Sequence, residues 1–187
     1  MSEIFCGIDE AGRGPIAGDL VVAGCIFKPD TKIDGLNDSK KISEKKRYQL
    51  FPEILDSTIN HIVVIKPYEL DELGISKCMT KALEEIKSIL NADSYLFDGN
   101  TTFGVSGLDT MVKADGKIQQ VSAASILAKV THDRNIIRDA ELYPEYGFEK
   151  HKGYGTALHV EMIKEHGYCP IHRRSFKLKA LQGTLFD

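Results

Sequence analysis

Between Gly7 and Leu20 the chain reads GIDEAGRGPIAGDL: two adjacent carboxylates, Asp9 and Glu10, then an arginine between glycines, all set between apolar runs. Two further acids stand in the same context, Asp98 in SYLFDG and Asp115 in DTMVKADG; each follows an apolar segment and precedes a glycine. An Asp-Gly pair taken alone is a common turn signal, so the weight rests on the joint occurrence. Four acids converging from strand ends of one sheet would repel, and their protons would be held more tightly. A divalent cation removes that conflict. Oxygen-only ligation with no His or Cys nearby points to a hard ion, Mg²⁺ or Mn²⁺. Two such ions can activate water on one side of a phosphodiester and stabilise the leaving oxygen on the other. Neighbouring strand residues face opposite sides, so Asp9 and Glu10 can share one site only if the strand stops there; Ala11-Gly12 offers that break.

The glycines fit two phosphate-loop patterns poorly. Gly12, Gly14 and Ala17 match GxGxxG/A, but that motif must open a helix, and Pro15 followed by DLVVAGCIF leaves no room for one. Gly7 and Gly12 echo the start of GxxxxGK[ST], yet Arg13-Gly14 stand where Lys and Ser/Thr are needed. A tight turn without side chains at Gly12 and Gly14 lets backbone groups reach a sugar edge instead. A 2′-hydroxyl, donor and acceptor at once, is what separates RNA from DNA, and Arg13 could hold an adjacent phosphate.

These residues need a sheet to hold them. EIFCGID and DLVVAGCIF read as an antiparallel pair, and TINHIVVI as a third strand. A helix is expected from Ser43, its N-cap, to Leu55, with Pro52 disturbing its end. Ile75, Met79, Ala82, Leu83, Ile86 and Leu90 recur at helical steps. SYLFDG and DTMVKADG read as short parallel strands ending at Asp98 and Asp115. KIQQVSAASILAKVTHDRNIIRDA reads as a long helix whose small residues permit close approach to the sheet, and TALHVEMIKEH as a helix capped by Thr156. The fold class is α/β with a mixed sheet.

At 187 residues one well-filled core suffices. Net charge is −3, so nucleic-acid binding has to come from local patches, of which DSKKISEKKR and HRRSFKLK are candidates; a solvated helix face is the commoner explanation of such runs. The four cysteines are scattered without CxxC, so a disulfide framework has no support. HGYCPIH, with His166, Cys169 and His172, has suggestive metal spacing but makes a poor zinc site. With no leader or bilayer-length apolar run, the expected location is cytoplasmic and the expected membrane contact none.

Taken together, DEAGRGPIAG, LNDSKK, FDG, KADG, SAASILAKVTHDR, HKGYGT and PIHRRSF resemble, in order, the sequence blocks of the bacterial-type ribonuclease HII family, from about Cys6 to Phe176. The resemblance implies a ribonuclease H-like mixed β-sheet flanked by helices over residues 1–140, with a C-terminal helical segment and tail over 141–187 packed on that core. It implies a two-metal endoribonuclease that cuts RNA in RNA/DNA hybrids and 5′ to single ribonucleotides in duplex DNA, leaving 3′-hydroxyl and 5′-phosphate ends. By position, Asp9, Glu10, Asp98 and Asp115 are its catalytic metal ligands. Gly12, Arg13 and Gly14 sense the 2′-hydroxyl, and Tyr154 stacks on the following sugar. Ser39, Lys40, Ser122, Ser125 and Lys129 sit in blocks that suggest phosphate or backbone contacts. Asp19 stands where the family usually has Pro, and His132 where it usually has Arg; Asp133, mid-helix, is assigned to structural support.

The tail LQGTLFD, through Gln182, Leu185 and Phe186, resembles the short peptides that bind bacterial sliding clamps; a frayed end or an apolar cap on the last helix is the plainer explanation. The expected assembly is a monomer. A non-catalytic nucleic-acid-binding module on the same fold is the alternative reading, and such a module would not need all four acids.

Overall fold

The computed structural model describes residues 3–37 and 41–177. Strands β1 (Phe5–Ala11), β2 (Leu20–Phe27), β3 (Thr58–Ile65), β4 (Ser94–Asp98) and β5 (Asp109–Met111) form one mixed sheet in the order β3-β2-β1-β4-β5. β1 pairs antiparallel with β2 and parallel with β4, and β5 runs parallel to β4. Helices α1 (Glu44–Ser57), α2 (Pro67–Leu90) and α3 (Gln119–Leu142) are followed by the short α4 (Phe148–His151) and by α5 (Ala157–His166).

The alternation along β2 explains the layers. Leu20, Val22 and Ile26 enter one core with Met79, Ala82, Leu83 and Ile86 of α2. Val21, Ala23 and Cys25 enter the opposite core with Leu50, Phe51 and Ile54 of α1 and with Ala123, Ala124, Ile126, Leu127 and Ala128 of α3. A strand buried on both faces reads as a continuous apolar run, which is what LVVAGCIF is. Truncating a core residue of α2 such as Leu83 to Ala would cost about 2–5 kcal/mol.

Ser43 caps α1 by accepting the Lys46 N–H (3.2 Å), and the helix runs on past Pro52 to Ser57. The apolar period from Ile75 lies on α2, but that helix begins earlier, at Pro67. Gly74, with φ 77°, interrupts it, which separates the first two turns from the sequence pattern. A third core carries the C-terminal part: Tyr146, Phe148, Ile163 and Cys169 pack with Ile136 and Ala140 of α3 and with Ile16 and Ala17 of the β1–β2 connection. The C-terminal residues therefore share their core with the loop that leaves β1. Among the described residues, no helix is long and apolar enough to cross a membrane.

Candidate active site

The sheet register brings two of the acids together. β1 and β4 pair in parallel up to Ile8 opposite Phe97, so Asp9 and Asp98 are the next residues of adjacent parallel strands and project on the same side. Asp115 arrives differently. It was expected at a strand end, but β5 stops at Met111, Lys113 takes a left-handed conformation (φ 60°), and Asp115 sits in a 3₁₀ turn, Ala114–Gly116. The cause is Asp98 itself: its Oδ1 accepts the Lys113 N–H at 2.9 Å and its Oδ2 the Asp115 N–H at 3.3 Å. Those two bonds curl the chain back towards β4. Ser122 of α3 donates its hydroxyl to the Asp115 carbonyl.

One carboxylate oxygen from each of Asp9, Asp98 and Asp115 lies within 4.8 Å of the others. Asp9 is 7% exposed and Asp115 5%. Burial pushes the Asp9 carboxyl well above its usual range, and the charges of Glu10 and Asp98 push it further, against hydrogen bonds from the Glu10 amide and Ser125. Such a group is stabilised by a cation at its oxygens, and an all-oxygen donor set suits a hard divalent ion. Glu10 stands outside this trio, as strand alternation requires; it lines the same cleft and pairs with Arg13 at 3.1 Å. Lys41, Val112 and Lys113 complete that cleft of about 460 Å³. All three lie within stretches quoted above, Lys41 in LNDSKK and Val112 and Lys113 in DTMVKADG, where their types alone gave them no role.

A second hollow of similar size, about 460 Å³, shares Asp9, Glu10 and Arg13 with the first and continues along Gly12, Gly14, Ser125, Lys129 and Tyr154. Gly12 has φ 85°, and a Cβ there would lie 2.5 Å from the Asp19 carbonyl oxygen and from the His132 ring. Tyr154 is 46% exposed and faces Gly14. Lys129 lines the hollow and reaches Asp133 at 2.8 Å, as His132 Nδ1 does at 2.9 Å. Burial alone would raise the Asp133 carboxyl, but those two partners outweigh it and hold it low. Asp133 is thus a buried anchor. Ser122 is buried, committed to the Asp115 carbonyl, and absent from the residues lining either hollow. Ser39 and Lys40 lie outside the described residues, as do Gln182, Leu185 and Phe186.

The loop after Gly14 is held by Arg173, which in the sequence is one cation of the basic run HRRSFKLK and of the block PIHRRSF. Arg173 is 1% exposed. Its Nε donates to the Gly18 carbonyl (2.9 Å), one terminal nitrogen to Pro15 (2.8 Å) and the other to Asp19 (2.9 Å). Its amide donates to the Ile16 carbonyl (2.8 Å), and Ile16 in turn donates its amide to Gly153 (2.9 Å). The planar guanidinium supplies several donors in a fixed fork, which an ammonium cannot match. Asp19 is satisfied in its own way, by Lys66 at 2.9 Å and Asn135 at 2.8 Å. HGYCPIH does not bring its three candidates together: His166 faces Glu165 at the surface, while Cys169 and His172 turn inward.

Comparison with known proteins agrees with the geometry. The family model described as Ribonuclease HII matches residues 6–179. The chain is 58% identical to the Ribonuclease HII of Sulfurovum sp. (strain NBC37-1) over 183 residues, 97% of this chain and 96% of that protein. Its fold resembles the ribonuclease HII in the PCNA:RNase HII complex from Archaeoglobus fulgidus with TM-score 0.79 and 29% identity, over 94% of this chain and 96% of that one. It also resembles the ribonuclease H2 from Pyrococcus horikoshii OT3 with TM-score 0.74 and 29% identity, over 93% and 94% of the two chains.

Proposed function

The chain belongs to the ribonuclease HII family, and on that premise we propose that it is a divalent-metal-dependent endoribonuclease acting on RNA/DNA hybrids and 5′ to single ribonucleotides in duplex DNA. The observation that carries the metal dependence is the set of three aspartate oxygens within 4.8 Å of one another. Asp9, Asp98 and Asp115 would hold the cation or cations, with Glu10 reaching in from the adjoining wall. An Mg²⁺ or Mn²⁺ ion held by these carboxylates would supply a nucleophile from water and neutralise charge on the leaving 3′-oxygen, and such cleavage would leave 3′-hydroxyl and 5′-phosphate ends.

The remaining work falls to the protein. Backbone groups of Gly12, Arg13 and Gly14 meet the 2′-hydroxyl, which a deoxyribose lacks. The Tyr154 ring lies against the next sugar, and Lys129, Ser125, Lys41 and Lys113 face phosphates along the two hollows. Ser39 and Lys40 are proposed phosphate contacts from their sequence block alone. Residues 1–140 form the catalytic core in this reading, and the segment from 141 completes the substrate groove.

The deciding experiment is incubation with duplex DNA carrying one ribonucleotide, with and without Mg²⁺, mapping the cut to the nucleotide. Metal-dependent cleavage on the 5′ side of the ribonucleotide is expected; binding without cleavage at any metal concentration would leave a non-catalytic module.

The sliding-clamp contact is proposed separately, from Gln182, Leu185 and Phe186 and from the PCNA complex of the Archaeoglobus fulgidus relative. Deleting residues 182–187 is expected to weaken clamp binding and leave cleavage unchanged; equal clamp binding by the shortened chain refutes it.

A further inference from the structure

Tyr154 is held by groups that take no part in the cleavage chemistry. Its N–H donates to the His151 carbonyl at 2.9 Å, and its own carbonyl lies 2.9 Å from Nδ1 of His159. Nε2 of His159 lies 3.0 Å from Nε2 of His172. Nδ1 of His172 lies 2.9 Å from the Cys169 amide nitrogen. Both rings are buried, and His151 stacks on His159 with ring centroids 4.3 Å apart.

The two ends of this chain fix its polarity. A peptide N–H only donates, so Nδ1 of His172 carries a lone pair. The proton of that neutral ring then sits on Nε2 and is donated to Nε2 of His159. The proton of His159 is left on Nδ1, aimed at the Tyr154 carbonyl, which only accepts. Every link has one donor and one acceptor. A second proton on His159 would set two N–H groups against each other, and one on Nδ1 of His172 would meet the Cys169 amide at 2.9 Å, closer than the Cys169 carbonyl at 3.3 Å. Burial opposes the charged form of both rings and holds each at about 4. Cys169 also approaches Nδ1 of His172, with Sγ at 3.0 Å; burial pushes its thiol up to about 11, so it remains a thiol able to share that lone pair.

We propose that His159 and His172 are positioning residues: a relay of locked tautomers that runs from the Cys169 amide to the Tyr154 carbonyl and fixes the Tyr154 ring opposite Gly14 for engagement of the substrate sugar. The proposal rests on the reading of Tyr154 as a sugar contact. Neutrality suits the task, since the relay orients the ring without placing a charge among buried side chains. It also accounts for the metal-like spacing of Cys169 and His172, whose approach serves a proton rather than a cation.

The test uses the full chain. Long-range ¹H–¹⁵N correlation spectra at pH 7 are expected to show His172 as the Nε2–H tautomer and His159 as the Nδ1–H tautomer. Reversed tautomers, a doubly protonated ring or rapid averaging overturn the relay, and this measurement needs no variant to fold. His159→Leu is expected to raise KM for a duplex with one ribonucleotide about tenfold, the worth of one hydrogen bond, with kcat nearly unchanged and a shifted Tyr154 carbonyl ¹³C resonance. His159→Asn, which keeps a donor near the Nδ1 position, is expected to restore most of both. An unmoved KM and carbonyl resonance in the Leu variant, or a loss that Asn does not restore, overturns the positioning role. If the wild-type chain leaves the substrate uncut, the proposed function has failed, while the tautomers and the carbonyl resonance still decide the relay.

Discussion

At one end of the groove Asp9, Asp98 and Asp115 crowd like charges into a place where burial already disfavours them, whereas at the other end Arg173 and the histidine relay pair neutral or cationic donors with carbonyls around Gly14 and Tyr154. In the proposed reading the carboxylate end is incomplete by itself, and an added cation would relieve its conflict. At the tyrosine end the donors and acceptors already meet one another, and in the proposed reading a sugar would be received there without further change. A site that must bind metal reversibly stays electrostatically frustrated, while a site that must present a shape is satisfied in advance.

Exchanging one charge breaks the comparison most severely. Asp9→Asn should lower the single-turnover cleavage rate by about 10³-fold or more, on the scale of losing a group that stabilises transition-state charge, yet leave metal-free folding stability equal or higher. A variant that cuts at near-normal rate, or that unfolds, removes the contrast. Next in size, Arg173→Ala should destabilise the chain by about 3–5 kcal/mol in urea, because buried carbonyls of Pro15, Gly18 and Asp19 lose their donors. Arg173→Lys should recover only part of that, since the fork is lost. A drop below about 1 kcal/mol for the Ala variant would show that the loop holds itself.

Metal titration sharpens the distinction at lower cost in energy. Mg²⁺ at tenfold excess over its Kd should stabilise the wild-type chain by about 1.4 kcal/mol, and Asp98→Asn should abolish that increment while Arg173→Lys keeps it. Equal stabilisation of the Asp98 variant would place the ion elsewhere.

The two ends should also respond to pH with opposite sign. His159 and His172 are held at about 4 in the fold against an ordinary 6.5, so the unfolded chain binds their protons first. Their stabilising contribution is full above 6.5 and is lost as pH falls towards 4. Asp9 is raised, so its contribution is full below its ordinary 3.8 and is lost as pH rises through its folded value. Without metal, Asp9→Asn should therefore exceed wild type in urea midpoint at neutral pH, with the gap closing in acid. A gap that widens in acid contradicts the assignment.

Much of this architecture was legible in the residues. TINHIVVI is β3 from its first residue to its last, Ser43 and Thr156 cap the helices they were expected to cap, and the strands in SYLFDG and DTM are parallel neighbours as expected. Local pattern determines such features. The start of α2 was missed because Gly74 interrupts the period, although Pro67 at its first position was a readable signal. The 3₁₀ turn at Asp115 was not legible, because Asp98, 17 residues away, dictates it. Nor was the role of HRRSF: Arg173 resembles a surface cation until the loop at 15–19 is seen wrapped around it. In HGYCPIH the metal-like spacing counted the exposed His166, while the true partner of His172 was His159, on the preceding helix.

The Arg173 fork also sets an order of events in biosynthesis. Its bonds to Pro15, Gly18 and Asp19 close loops of 154–158 residues, and contacts of such separation form late. A growing polypeptide thus carries its aspartates long before the turn beside them can be fastened, and no nascent chain shorter than 173 residues can finish the surface proposed to tell one sugar from the other.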